Sequence, residues 1–140
     1  MAILENTRDG AVARLVMNAP ERLNALSDEM LAALADALNT IADDESLRVV
    51  TIEGAGKAFC AGHDLRQMTA MRQSEDGGAA AFRGLFDRCA AVMTRIRTMP
   101  QVVIARVHGI ATAAGCQLVA TCDLAVAAEG TRFGVNGVNI

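Results

Sequence analysis

Residues 48–65 read RVVTIEGAGKAFCAGHDL, and this stretch decides the fold. Its first half is β-branched and apolar over Val49–Ile52 and stops at Gly54, which is typical of a buried parallel strand. Its second half, Phe59–Leu65, contains a glycine turn followed by Asp64, a residue type that favours the start of a helix. The stretch therefore predicts a strand, a tight turn and a helix in succession.

A second strand and glycine turn follow the same plan. Val102–Ala105 is another buried apolar run, and residues 111–118 read ATAAGCQL. A backbone N–H released at a strand-to-helix turn is a fixed donor, and two such donors that converge can hold a carbonyl oxygen that becomes an oxyanion. The candidate donors are the backbone N–H groups of His63 and Ala114.

The remaining segments complete a single α/β domain over residues 1–140 with a mainly parallel sheet. A β-hairpin is expected around Asp9-Gly10, between strands Ile3–Thr7 and Val12–Met17. Ser27 is placed to cap the helix that runs to Ala42. The other predicted elements are a polar loop at Gln73–Gly78, a long helix at Ala79–Met99, a short helix at Ala113–Thr121 and a third buried strand at Leu124–Ala127.

Composition excludes several classes of protein. The 140 residues are 52% hydrophobic and carry a net charge of −3 without a basic block, which argues against disorder and nucleic-acid binding. No apolar run is long enough to span a membrane, and the first residues lack a secretory signal, so the expected location is cytoplasmic. The four cysteines form no C-x-x-C pair and are predicted to be reduced core thiols: Cys60, Cys89, Cys116 and Cys122.

Other chemistries fit the motifs poorly. Gly54-Ala55-Gly56-Lys57 lacks the spacing of a phosphate loop, and Ala58 stands where a hydroxyl would meet magnesium. Cys60 and His63 have the spacing of a metal pair, but no second pair exists, so no metal is expected. The G-x-S-x-G motif of a hydrolase is also missing.

Five segments together resemble the crotonase (enoyl-CoA hydratase/isomerase) superfamily, and within it the enoyl-CoA hydratase domain-containing proteins. In order they are Asn18–Leu26, Arg48–Ile52, Phe59–Leu65, His108-Gly109 and Gly115–Leu124. The resemblance covers essentially the whole chain. It implies a spiral of ββα units whose acyl-CoA thioester carbonyl lies between two backbone N–H groups.

The same resemblance implies which residues of this sequence meet the substrate. The oxyanion donors are His63 and Ala114, and the backbone of Ala61 faces the adenine. Residues in the segments that line the coenzyme A portion are Arg22, Leu23, Ala25, Asp64 and Leu65. Coenzyme A is then part of the substrate, and no permanently bound cofactor is expected. An ordinary solvated loop residue is the alternative role for Arg22.

Two departures from the family pattern affect the chemistry. Relatives that hydrate enoyl-CoA carry a catalytic Glu where this chain has Gln117, and a second Glu where Gly137 aligns. Gln cannot exchange a proton as a carboxylate does, and Gly has no side chain. Hydration by two glutamates is therefore not expected, whereas an enolate-forming reaction remains open. His63 is a conceivable acid or base.

A non-catalytic binding or assembly protein is the alternative reading. The apolar segment Phe133–Ile140 has no helix to cover it, so the sequence is expected to be a fragment that lacks the C-terminal helical part of the family fold. Members of the superfamily continue into that part, which completes a trimer. A homo-oligomer, a trimer or dimer of trimers, is expected of a full-length protein.

Overall fold

The computed structural model describes residues 2–135. Gly137 lies outside the described residues. The strands are β1 (Leu4–Asp9), β2 (Val12–Met17), β3 (Val49–Gly54), β4 (Val102–Val107), β5 (Ile110–Thr112), β6 (Leu124–Ala127) and β7 (Arg132–Gly134). The helices are the 3-10 helix η1 (Pro20–Arg22) and the α-helices α1 (Asp28–Ala42), α2 (Leu65–Met71), α3 (Ala79–Thr98) and α4 (Ala114–Thr121).

Five strands form the main sheet in the order β1-β2-β3-β4-β6. Only the β1–β2 pair in this sheet is antiparallel, so the prediction of a mainly parallel sheet is confirmed. The β1–β2 hairpin turns one residue later than predicted, because Asp9 pairs with Val12 and leaves Gly10 and Ala11 in the turn. Gly10 takes the left-handed conformation that this turn needs, with φ of +58°.

Helices α1 and α3 pack against each other beside the sheet. Ser27 caps α1 as predicted, since its hydroxyl accepts a hydrogen bond from the Met30 N–H at 3.1 Å. Both helices bury one apolar stripe at helical spacing. The buried residues of α1 are Met30, Leu31, Leu34, Leu38 and Ile41, and those of α3 are Leu85, Cys89, Val92, Met93 and Ile96.

Two expectations need correction, and one element was missed. Strand β6 is not buried: all four of its residues are exposed, because it pairs with β4 and forms an edge of the sheet among the described residues. Cys116 and Cys122 are only partly buried, unlike Cys60 and Cys89, because α4 has solvent on one side. The second sheet, formed by the parallel strands β5 and β7, was not predicted, since three-residue strands carry too little pattern to be recognised.

Within residues 2–135, no helix is long and apolar enough to cross a membrane.

Candidate functional site

The two glycine turns lie side by side. Cys60 forms a parallel bridge to Ala111. The N–H groups of Phe59 and Cys60 donate to the carbonyl of Ile110 at 3.0 and 3.2 Å, and the Thr112 N–H returns a hydrogen bond to the carbonyl of Cys60 at 3.1 Å. These hydrogen bonds hold the starts of the two turns next to each other.

Glycine is required where the turns touch. Gly62 has φ of +94°, and a Cβ atom there would lie 3.2 Å from the backbone nitrogen of Ala114. A Cβ on Gly115 would collide with the carbonyl of Cys60. The two glycines thus allow α4 to begin directly against the first turn.

Strain is concentrated at the second turn. Ala113, which precedes α4, has φ of +51° and ψ of −123°, a conformation that L-residues rarely adopt. Its N–H donates to the carbonyl of Gly134 in β7 at 2.8 Å, so the second sheet holds the strained residue in place. Strained backbone of this kind is concentrated at functional sites in proteins.

The N–H groups of His63 and Ala114 donate no hydrogen bond to any residue of the described chain. For Ala114 the reason is its position as the first residue of a helix, where N–H groups have no partner in the preceding turn. Neither group is committed to a partner within the described chain; His63 lines the cavity described next, whereas the buried Ala114 does not.

A cavity of about 250 Å³ opens beside the first turn. All six residues expected to contact coenzyme A line it: Arg22, Leu23, Ala25, Ala61, Asp64 and Leu65. His63 lines it as well, together with two charged residues that the sequence analysis did not select, Glu21 and Arg66. The lining therefore combines charged and aliphatic groups, which suits a ligand with both ionic and apolar parts.

An ion pair joins the two segments of the cavity wall. Arg22 Nη1 lies 3.3 Å from Asp64 Oδ2, and Asp64 is 6% exposed. The other carboxylate oxygen of Asp64 caps α2 by accepting hydrogen bonds from the N–H groups of Arg66 and Gln67. Both carboxylate oxygens of Asp64 therefore accept hydrogen bonds within the protein. The remaining N–H donors of the half-exposed Arg22 guanidinium are available to an anion.

The backbone of the cavity wall is also fixed. The N–H of Ala61 donates to the carbonyl of Leu23 at 3.0 Å, and its carbonyl accepts from the Thr112 hydroxyl at 3.2 Å. The Leu26 N–H donates to the carbonyl of Gly62 at 2.7 Å. A nucleobase near Ala61 could therefore donate a hydrogen bond to the Ala61 carbonyl, whereas the Ala61 N–H is already used.

The His63 ring packs against α3. It meets Phe86 edge to face, with ring centroids 5.4 Å apart, and Phe86 in turn stacks on Phe82 at 6.4 Å. Burial lowers the pKa of the imidazole below its usual value, and the backbone of Leu26 opposes this shift in part. Nδ1 is buried and makes no hydrogen bond of regular geometry with a described residue. Neutral imidazole is therefore the form present near pH 7.

Some of the predicted site residues do not line the cavity. Gln117 lies on α4 one turn after Ala114, where its side chain is exposed, and it is not among the residues that line the cavity. Gly137 lies outside the described residues. His108 is not among the lining residues either, and its Nε2 lies 2.6 Å from the carbonyl of Gly56. Residues 2–135 hold no cluster of side chains suited to a metal ion.

Comparison with known proteins identifies the family of the chain. The family model for enoyl-CoA hydratase/isomerase matches residues 7–140. The chain is 42% identical over 133 residues to enoyl-CoA hydratase domain-containing protein 3, mitochondrial, of Xenopus laevis, covering 95% of this chain and 44% of that protein. It is 36% identical to 1,2-epoxyphenylacetyl-CoA isomerase of Escherichia coli, covering 94% of this chain and 49% of that protein.

Solved structures give the same result. An enoyl-CoA hydratase of Mycobacterium smegmatis superposes with a TM-score of 0.91 at 53% identity, covering 98% of this chain and 52% of that one. Human enoyl-CoA hydratase domain-containing protein 3 superposes with a TM-score of 0.89 at 38% identity, with the same coverage of 98% and 52%. The chain thus has the crotonase fold and spans about half the length of the relatives that it matches. It belongs to the enoyl-CoA hydratase/isomerase family.

Proposed function

We propose that this chain binds an acyl-CoA thioester and polarises its carbonyl between the N–H groups of His63 and Ala114. The observation that carries the proposal is the contact of the two turns, where Gly62 lies against the nitrogen of Ala114 while both N–H groups have no partner in the described chain. Two donors fixed in advance stabilise charge that develops on a carbonyl oxygen, because no reorganisation is needed during the reaction.

Coenzyme A enters the proposal through the cavity. The guanidinium of Arg22 and that of Arg66 supply positive charge for its phosphates, and Leu23, Ala25 and Leu65 supply apolar surface for the adenine or the pantetheine arm. Coenzyme A arrives as part of the substrate rather than as a resident cofactor.

The reaction class follows from the groups available. An oxyanion hole supports formation of an enolate, as in isomerisation, decarboxylation or carbon–carbon bond change. Hydration by two glutamates is disfavoured because Gln117 carries a neutral amide. We therefore expect hydration of crotonyl-CoA to be very slow, and turnover like that of an efficient hydratase would contradict our interpretation of Gln117.

Binding without turnover is the second candidate function, and the exposed amide of Gln117 is the observation that favours it. A panel of enoyl-, malonyl- and β-ketoacyl-CoA compounds separates the two candidates. Robust turnover of any one compound removes the second candidate.

Titration calorimetry with butyryl-CoA tests the proposed function. We expect heat of binding when butyryl-CoA is titrated into the folded parent chain. Absence of heat with any short or medium acyl-CoA, from correctly folded protein, would contradict the proposal.

A cytoplasmic location and a homo-oligomeric full-length protein remain predictions. The relative of Xenopus laevis bears the word mitochondrial in its name. Fractionation of cells that express the protein distinguishes the two compartments.

A further inference from the structure

We propose that the imidazole of His63 transfers the α-proton of the bound acyl-CoA, with Nε2 as the base. This inference rests on the proposed function, because it places the thioester carbonyl on the N–H of the same residue. His63 then has two separate roles: its backbone holds the carbonyl oxygen, and its side chain works on the neighbouring carbon.

The position of the ring supports this role. His63 lines the cavity, and its ring is held edge-on to Phe86. An imidazole nitrogen lies a few bond lengths from its own backbone nitrogen, and the α-carbon of a thioester is two bonds from the carbonyl oxygen. A carbonyl oxygen on the His63 N–H thus brings the α-carbon within reach of the ring of the same residue.

The two ring nitrogens lie in different surroundings. Nδ1 is buried and has no hydrogen-bond partner among the described residues. Nε2 makes no hydrogen bond with a described residue and does not belong to the buried unpartnered atoms. We assign the proton of the neutral ring to the buried Nδ1, which leaves the lone pair on Nε2 for the substrate.

Other titratable groups at the cavity are unsuited to proton transfer. Asp64 holds Arg22 and the first turn of α2. Charged groups on the elements around the ring are Glu21 and Arg22 at η1, Asp64 and Arg66 at the start of α2, and Arg83, Asp87, Arg88, Arg95 and Arg97 on α3. Asp28 and Arg88 neutralise each other where α1 meets α3. None of these charges contributes to the lowered pKa of His63, which burial causes.

The step balances without an oxidant or a further reactant. The Nε2 lone pair takes the α-proton, and the electron pair of the broken C–H bond forms a double bond to the carbonyl carbon. The carbonyl π-pair moves to oxygen, giving an enolate held by the N–H groups of His63 and Ala114. The imidazolium exchanges its proton with water and returns one to the α-carbon, which restores the thioester.

Deuterium exchange at the α-carbon tests the inference. Butyryl-CoA and the more acidic phenylacetyl-CoA are incubated with the chain in D2O, and loss of the α-proton is followed by proton NMR. Any substitution of His63 other than proline retains the backbone N–H, so His63→Ala and His63→Gln remove the base but keep the donor. His108→Ala is the matched control, because it removes the other histidine of the sequence.

We expect exchange in the parent chain and in His108→Ala, and a loss of about 100-fold or more in His63→Ala and His63→Gln, which is the usual contribution of a general base. Exchange in the parent should fall as pH drops through the histidine range. The affinity for butyryl-CoA, measured by calorimetry, should differ from that of the parent by less than about 3-fold in both His63 variants. This corresponds to about 0.6 kcal/mol or less in binding free energy.

Three outcomes would overturn the inference. Exchange that persists in both His63 variants, or that is absent from a parent chain that binds butyryl-CoA, contradicts the role of His63 but leaves the proposed function standing. Absence of binding in the parent chain contradicts both.

Discussion

The side-chain amide nitrogen of Asn24 lies 2.9 Å from the carbonyl oxygen of Ala58, at a position from which solvent is fully excluded. The same nitrogen donates to the carbonyl of Ala55 at 2.9 Å, and the amide oxygen accepts from the N–H of Ala19 at 2.9 Å. Asn24 therefore ties the segment that carries Arg22 and Leu23 to the loop that follows β3, and so positions one wall of the cavity.

Replacing Asn24 should destabilise the protein strongly. Asn24→Ala removes all three hydrogen bonds and leaves buried backbone groups without partners, and we expect a loss of about 3 kcal/mol in the free energy of unfolding. Urea unfolding followed by circular dichroism measures it. Asn24→Gly loses the same bonds but suits the left-handed backbone, with φ of +53°, and should be about 1 kcal/mol less destabilising than Asn24→Ala. Equal stability of the parent and Asn24→Ala would contradict the role of the amide.

Gly62→Ala should weaken acyl-CoA binding beyond its effect on stability. The new Cβ would lie 3.1 Å from the Cβ of Ala113 and 3.2 Å from the nitrogen of Ala114, so the two donors would have to separate. Gly77→Ala is the matched control, because Gly77 also has positive φ, +68°, but nothing lies within 4 Å of its added Cβ. Both variants should lose about 1–2 kcal/mol of stability through backbone strain.

Calorimetry with butyryl-CoA separates the two glycine variants. Only Gly62→Ala should bind more weakly than the parent. Equal affinity in both variants would show that the contact between the turns is unimportant for the ligand.

The sequence predicted long elements well and short ones poorly. Helix α1 and strand β3 were found because apolar spacing is strong over many residues and because Ser27 and Gly54 mark their ends. Strands β5 and β7 were missed because three residues cannot establish a period. The exposure of β6 could not be predicted either. An apolar run such as Leu124–Ala127 predicts a buried strand whether the strand lies at the centre or at the edge of the sheet.

The candidate site could likewise be predicted only in part. Glycines at the turns predicted where the N–H groups of His63 and Ala114 are released, because only backbone conformation is involved. The partner of the His63 ring was not predicted: Phe86 lies 23 positions further along the chain, and nothing in its local spacing distinguishes a ring that touches His63 from one in the core. Contacts of that kind depend on how α3 crosses the sheet.

Arg22→Ala should weaken binding of coenzyme A while hardly changing stability. Arg22 is half exposed, and the nearly buried Asp64 carboxylate keeps its hydrogen bonds from the Arg66 and Gln67 N–H groups, so we expect a loss of about 1 kcal/mol or less in the free energy of unfolding. A charge-assisted hydrogen bond to a phosphate contributes about 1.5–3 kcal/mol, so we expect about 10-fold or greater loss of affinity for free coenzyme A by calorimetry.

Two controls accompany Arg22→Ala. Arg22→Lys should recover only part of the affinity, because it restores the charge but not the planar fork of donors. Arg97→Ala removes an exposed arginine on α3 and should bind like the parent. If Arg22→Ala retains full affinity, Arg22 is an ordinary solvated loop residue.

Cys116 should be the first thiol alkylated in the folded protein. Cys60 is fully buried, and burial raises its pKa to about 12. Burial, followed by the charge of Asp123, also raises the pKa of Cys122 to about 12. Only the thiolate reacts, so Cys60 and Cys122 should resist N-ethylmaleimide at pH 7.5, and partly exposed Cys116 should be labelled first. Peptide mass spectrometry after a timed reaction identifies the site, and earlier labelling of Cys60 would contradict the packing of the first turn.

The free energy of unfolding should decrease as the pH is lowered, because the His63 imidazole titrates. This expectation does not depend on whether the chain is an enzyme. Burial lowers the pKa of this imidazole in the folded state, so below the ordinary histidine value of 6.5 the unfolded chain binds a proton more readily than the folded one. The stability contributed by neutral His63 is therefore complete above pH 6.5 and is lost as pH falls through and below that value. His63→Gln cannot titrate. We expect the parent to lose more free energy of unfolding than His63→Gln between pH 7 and pH 5 in urea titrations, and parallel curves for the two proteins would show that the ring is not held in its neutral form.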